Sequence, residues 1–243
     1  MEIKFNTQTV SCLKKVLSQI QTQEVTQEVR IPDTMPEVGH ILGCWGQVMI
    51  RGKEWRGSGM SVSGGVEASI LYAPEDGSAP KSMETWVPFQ MKWDFPEHLS
   101  DGVILATPSL TSLDGRSISA NKIMVRANVA VLGEALLQEQ TEIPTADGGT
   151  EDIEILKKTY PMDLPMESGE KMINIDETLT MPNTCPNPEK IIGCWIMPEI
   201  TDQKILANRL VFRGKADYHL LYCGKTEKFT TGTQKFHFLS LLI

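Results

Sequence analysis

Two stretches of the chain, residues 60–72 and 210–222, alternate between apolar or small residues at even-numbered positions and mostly polar residues at odd-numbered positions. A period of two residues is typical of a strand with one buried face. Both stretches carry a glycine at their fifth position, Gly64 and Gly214. A glycine inside a strand predicts a bulge or the close approach of another segment.

Further segments also have the pattern of strands. Residues 25–31 carry spaced apolar positions, and residues 175–181 repeat them 150 positions later. The stretch from 103 to 132 predicts a long hairpin with its turn at Asp114-Gly115. Its second strand points alternate residues inward, namely Ile123, Val125, Ala127, Val129 and Val131. The expected fold class is therefore mainly β.

Only the N-terminus has helical spacing. Val10, Leu13, Val16, Leu17 and Ile20 would lie on one face of a helix. This spacing predicts one short amphipathic helix. Such a helix would cover its own sheet or, alternatively, bind a partner.

The chain contains an internal repeat. The segment "IPDTMPEVGHILGCW" ends at Trp45, and "MPNTCPNPEKIIGCW" ends at Trp195. Between Pro32 and Trp45 the two segments share seven identities in fourteen positions, without a gap, at a shift of 150. The shift also holds further on, because Tyr72 corresponds to Tyr222. We interpret the repeat as a duplicated domain.

The duplication predicts two repeated β-sandwich-like or barrel-like domains. The 243 residues are enough for two cores of about 120 residues each. The segment "IPTADGGTEDIE" has the composition of a linker and places the boundary near residue 148. We therefore predict domains at 1–147 and 148–243. The second copy lacks the hairpin that follows the repeat in the first, so we expect an open sheet edge and an uncovered apolar face there. The first domain, another copy or a partner protein could cover them.

The Cys-Trp pair of each copy could be a nucleophile, a metal ligand or part of a core. A reactive cysteine needs a base, yet His40 beside Cys44 corresponds to Lys190 beside Cys194. None of the four histidines has a histidine at its equivalent position, and no ligand spacing for a metal occurs. We therefore predict no enzyme activity, no cofactor and no metal site. The repeated residues are predicted to be structural core: Pro32, Pro36, Ile41, Cys44, Trp45, Tyr72, Pro182, Pro186, Ile191, Cys194, Trp195 and Tyr222.

Charge narrows the possible partners. The chain has 23 Lys and Arg against 31 Asp and Glu, a net charge of −8, which disfavours nucleic acid. No apolar run approaches the roughly 20 residues needed to span a bilayer. The first residues do not form the apolar stretch of a signal peptide. Five cysteines without a CxxC pair indicate reduced thiols. We therefore expect a cytoplasmic protein.

The repeated motifs "P-[DN]-T-x-P" and "I-[LI]-G-C-W", the strand ends "ILY" and "LLY", and the phrase "YPMDLPMESGEKMINIDETLTMP" resemble the SPOCS-domain family of Firmicutes. The resemblance covers roughly residues 24 to 240. It implies a non-enzymatic interaction or scaffold module in spore coat assembly, on the mother-cell side of the forming spore. A small-ligand or carbohydrate-binding module, or an enzyme using surface carboxylates, is the alternative.

Overall fold

The computed structural model describes residues 5–146, 158, 160–161, 163–171, 174, 176, 178, 180–181, 183, 185–207, 209–224 and 229–242. In this part of the chain all regular structure is β, which confirms the mainly β prediction. The nine described strands are β1 (Phe5–Arg30), β2 (Val38–Arg56), β3 (Gly59–Pro74), β4 (Lys81–Asp94), β5 (Val103–Ser119), β6 (Lys122–Ala146), β7 (Lys190–Leu206), β8 (Arg209–Cys223) and β9 (Phe229–Leu242).

The strands form three antiparallel sheets of three strands each. The first sheet has the order β1-β6-β5, the second β2-β3-β4 and the third β7-β8-β9. The first and second sheets pack face to face, with β2 beside β5 and β1 beside β4. None of the three sheets closes on itself, so the barrel alternative does not apply.

The core lies between the first and second sheets. The alternating apolar positions of residues 60–72 provide one side, and Val62, Val66 and Ile70 are fully buried. Strand β6 provides the other side through the predicted inward positions, all of which are 0% exposed: Ile123, Val125, Ala127, Val129 and Val131. Complete burial of such a side chain stabilises the fold by about 1.5–3 kcal/mol.

The prediction of an N-terminal helix is wrong, because residues from Phe5 to Arg30 form strand β1. This strand pairs with β6 along its whole length, so its backbone groups are satisfied by a neighbouring strand instead of within a helix. A bulge between Lys15 and Leu17 changes the phase of the alternation. The apolar positions of the predicted helix do not share one face of the strand: no bulge separates Val10 from Leu13 or Leu17 from Ile20, so the two members of each pair point to opposite faces. Leu17 accordingly packs against the core, whereas Ile20 is 64% exposed.

The predicted hairpin is present, but its turn lies later than expected. Strand β5 continues through Asp114 and Gly115, and the chain reverses at Ala120 and Asn121. Packing does not require a glycine at position 115 either, since an added methyl group would make ordinary van der Waals contact, 3.7 Å from the sulfur of Cys44.

The third sheet repeats the second sheet in detail. The register shifts at Ile41/Gly43 and at Ile50/Gly52 recur 150 positions later between β7 and β8. The shared bulges show that the sequence repeat extends to backbone geometry. The division into domains at residues 147 and 148 stays a prediction, because the residues that follow Ala146 lie outside the described ranges, as do Ile175 and Leu179 of the predicted strand at 175–181.

Candidate functional site

One face of the third sheet, here called the open face, corresponds to the face of the second sheet that lies in the core. Its side chains belong together because directly paired residues of antiparallel strands share a face. Cys194 pairs with Leu220, and Ile196 pairs with Tyr218. On β7 and β8 the open face comprises Ile191, Cys194, Ile196, Pro198, Ile200, Gln203, Ile205, Leu210, Phe212, Ala216, Tyr218, Leu220 and Tyr222, of which Gln203 is the one with a polar amide side chain.

The open face is apolar but largely uncovered along β7. Ile196, Ile200 and Ile205 are 50%, 59% and 78% exposed. At the positions equivalent to Ile200 and Ile205, Ile50 and Trp55 pack against the core. The difference arises because β5 lies beside β2, whereas no described strand lies beside the outer edge of β7.

The centre of the open face is better packed than β7. On the middle strand β8, Ala216, Leu220 and Tyr222 are at most 8% exposed, because β8 has neighbours on both sides. A ring from β9 also fills the space over the backbone at Gly214, where a methyl group would lie 2.2 Å from Phe238. The open face therefore has a packed centre and one exposed apolar margin.

No Asp, Glu, Lys, Arg or His lies among the residues of the open face. The charges of the third sheet lie on its opposite face, where Lys215 and Glu199 form an ion pair of 2.9 Å and Lys235 lies 3.9 Å from Asp217. The sheet is therefore amphipathic: one face is charged and hydrated, and the other is apolar.

Pro198 limits the hydrogen bonds that the outer edge of β7 can form with an added strand. It pairs with Ala216 of β8, and its nitrogen has no hydrogen to donate. Proline in a sheet is tolerated where its nitrogen points away from the neighbouring strand. A strand added to the outer edge of β7 would therefore lack one hydrogen bond at this position.

The repeated tyrosines lie where the sequence predicts, inside the protein. Tyr72 and Tyr222 are both fully buried. The hydroxyl of Tyr72 donates to the carbonyl oxygen of Pro36 at 3.0 Å, and that of Tyr222 donates to the carbonyl oxygen of Pro186 at 2.9 Å. Each tyrosine thus fixes the proline-containing segment that leads into β2 or β7. The equal separation of 36 residues is the sequence signal for this contact.

Several other residues predicted to be core are not buried. Pro32, Pro186, Ile191 and Cys194 are exposed, and Pro36, Ile41, Cys44, Trp45 and Trp195 are half-buried. For Ile191 and Cys194 the cause is the missing cover over β7, since their equivalents Ile41 and Cys44 pack against the core. Pro182 lies outside the described residues.

Trp45 and Trp195 lie against each other and not in two separate cores. Their ring centroids are 5.5 Å apart and the rings are tilted by 45°. Trp45 pairs with Ser69 on the outer face of the second sheet, away from the core. A cleft of about 250 Å³ beside the two rings is also lined by Gln47, Ser69, Glu67 and Glu84. The side chain of Gln47 donates to Glu67 at 3.2 Å.

The environment of Cys44 disfavours the thiolate. Burial, and secondarily the charge of Asp114, raise the pKa of Cys44 to about 11. Partial burial also raises the pKa of Cys194. Both groups are therefore thiols at neutral pH, which is the less nucleophilic form. Among the described residues no group of His, Cys, Asp and Glu could hold a metal ion.

Comparison of the chain with protein families, curated proteins and solved structures finds no match. The described part of the chain contains no helical segment that could cross a membrane.

Proposed function

We propose that this protein is a non-enzymatic interaction module that binds a polypeptide on the open face. One observation carries the proposal: the equivalent face of the second sheet is covered by the first sheet, while Ile196, Ile200 and Ile205 remain exposed. Contiguous exposed apolar surface of this kind marks interaction sites in proteins.

The exposed isoleucines of the open face supply part of the free energy that binding requires. Complete burial of an isoleucine contributes about 1.5–3 kcal/mol, so burying the remaining half or more of three isoleucines contributes a few kcal/mol. The absence of ionisable Asp, Glu, Lys, Arg and His from this face removes the cost of desolvating charges.

Face-to-face packing fits the site better than pairing at the edge. Strand β5 lies beside β2 without sharing a hydrogen-bonded ladder, because the two strands belong to different sheets. Strand addition or self-association through the open edge of β7 is the second possible mode, and Pro198 weakens it.

A photoreactive amino acid at position 200 tests the proposal. The full chain carrying it is irradiated in the cells that produce it, with the same group at position 197 as control. Met197 is the matched site because it is 62% exposed, close to the 59% of Ile200, but pairs with Asp217 on the opposite face. A protein adduct at position 200 and none at 197 is expected. Absence of any adduct at 200, or equal adducts at both positions, contradicts the proposal.

The resemblance to the SPOCS-domain family would give such a module a role in spore coat assembly, in the cytoplasm of the mother cell. Of the shared motifs, "I-[LI]-G-C-W" and the strand ends "ILY" and "LLY" lie in the repeated sheets, and Tyr72 and Tyr222 hold the proline-containing segments that precede β2 and β7. The family, the role in sporulation and the location stay predictions.

Carbohydrate binding is the second candidate, and the cleft beside Trp45 and Trp195 favours it. Aromatic rings with nearby amide and carboxylate groups combine an apolar surface with hydrogen-bonding groups, as sugar recognition requires. Gln47, Glu67 and Glu84 supply these polar groups. Titration with oligosaccharides should then change tryptophan fluorescence, and a Trp45→Ala variant should lose the change. A saturable change that persists in this variant would exclude the cleft.

A further inference from the structure

We infer that the open face binds the open face of a second copy of this chain, so that two third sheets form a β-sandwich. This inference rests on the proposed function and names its partner. Within the same molecule, the equivalent face of the second sheet is covered by a three-stranded antiparallel sheet, whose inward face is aliphatic and includes Val125 and Val129.

The third sheet of a second copy meets the same requirements. It is antiparallel, has three strands, and presents mainly aliphatic and aromatic residues, with the amides Gln203 and Gln234 and no charged side chain among the described positions. Because the open face carries no Asp, Glu, Lys, Arg or His, self-association brings no like charges together. The opposite faces, with the Lys215–Glu199 ion pair, would remain in solvent.

The outline of the open face is similar to that of a specific interface. Strand β8 has 15 residues, which at about 3.3 Å per residue gives a length of about 50 Å. Three strands at about 4.8 Å spacing give a width of about 14 Å, hence an outline of about 700 Å² per copy, against about 800 Å² that specific interfaces bury per partner. Because the centre on β8 is already packed, the surface that a second copy would newly cover lies mainly along β7, at Ile196, Ile200 and Ile205.

The arrangement predicted is isologous, as in most protein dimers. The same patch on both copies meets across a two-fold axis, with the strands of the two sheets inclined by about 30°. Ile196 and Ile200 would lie inside the sandwich, and Cys194 would become covered. Pro198 does not interfere, because this packing needs no hydrogen bond at the edge of β7.

Sedimentation velocity of the full chain between 1 and 100 µM tests the inference. We expect a concentration-dependent dimer. Ile200→Asp should weaken dimerisation at least 100-fold, because it places a charge in the apolar interface. Met197→Asp, at a similarly exposed site on the opposite face, should dimerise as the unchanged protein does. Circular dichroism verifies that both variants keep their β structure.

Alkylation of Cys194 gives a second measurement that does not depend on a substitution. Its rate should fall as the protein concentration rises through the range of dimer formation. A monomer at 100 µM, equal effects of Ile200→Asp and Met197→Asp, or a rate at Cys194 independent of concentration overturns the inference. If position 200 then still forms an adduct with a different protein in cells, the proposed function stands and only the identity of the partner is wrong.

Discussion

The two buried tyrosines allow the same hydrogen bond to be removed twice in one molecule. Tyr72→Phe and Tyr222→Phe delete only the hydroxyl groups, which donate to the carbonyl oxygens of Pro36 and Pro186 at 3.0 and 2.9 Å. Both tyrosine side chains are fully buried, so water does not readily replace the lost donor. An unsatisfied buried acceptor costs about 1–3 kcal/mol, and we expect about 1–2 kcal/mol for each variant.

Urea unfolding followed by circular dichroism measures this loss. Tyr218→Phe is the matched control, because Tyr218 is half-buried on the same strand as Tyr222 and its hydroxyl has no hydrogen-bond partner in the described structure. We expect this control to change the free energy of unfolding by less than about 0.5 kcal/mol. Should Tyr72→Phe cost no more than Tyr218→Phe, the hydroxyl does not hold the proline segment and our explanation of the repeated motif is wrong.

The pH dependence gives an independent check on Tyr72. Burial, followed by the charge of Asp76, raises its pKa above the ordinary value of about 10. The folded state therefore holds the phenolic proton more tightly than the unfolded state does. The stabilisation from this group is complete below pH 10 and is lost as the pH rises through the folded-state pKa. Tyr72→Phe should lack this alkaline loss, and an unchanged profile would contradict burial of the hydroxyl.

Three further predictions concern single positions. Ala207→Gly should stabilise the protein by about 0.5–1 kcal/mol in thermal unfolding, because Ala207 has a φ of 47°, and no gain would mean that this turn is unstrained. Gly64→Val should destabilise by more than about 2 kcal/mol in urea unfolding, because a Cβ would lie 2.2 Å from the carbonyl oxygen of Met49; a stable variant would refute this close approach. At 1 µM and pH 8, iodoacetamide should modify exposed Cys194 before Cys44, whose pKa is about 11, and the reverse order would contradict their environments.

The sequence alone was sufficient to predict the central strand of the second sheet and its repetition in the third sheet. Alternation from Met60 to Tyr72 predicts a strand, and the structure buries the even-numbered side chains because only they face the first sheet. The sequence repeat at a spacing of 150 residues includes the bulges. The register shift between Ile41 and Gly43 recurs between Ile191 and Gly193.

The sequence was misleading where long-range pairing decided the outcome. In β1 the apolar residues have the spacing of a helix although Leu17 and Ile20 lie on opposite faces of a strand, and only the pairing with β6 decides between the two structures. Asp114-Gly115 has turn chemistry but continues as strand, because the pairing with β6 extends beyond it to Ser119. The exposure of Cys194 could not be inferred from its equivalence to Cys44. Whether a side chain is buried depends on the layer that packs against its sheet and not on the residue itself.

The contact between Trp45 and Trp195 has a spectroscopic consequence. Two indole chromophores whose centroids are 5.5 Å apart, with their planes tilted by 45°, are close enough for their electronic transitions to couple. Such coupling contributes a circular dichroism signal of paired opposite bands that neither ring produces alone. The protein therefore contains an intrinsic optical reporter of how its repeated sheets are placed, without any added dye. Replacing either tryptophan by phenylalanine should abolish the whole pair of bands and not merely halve it.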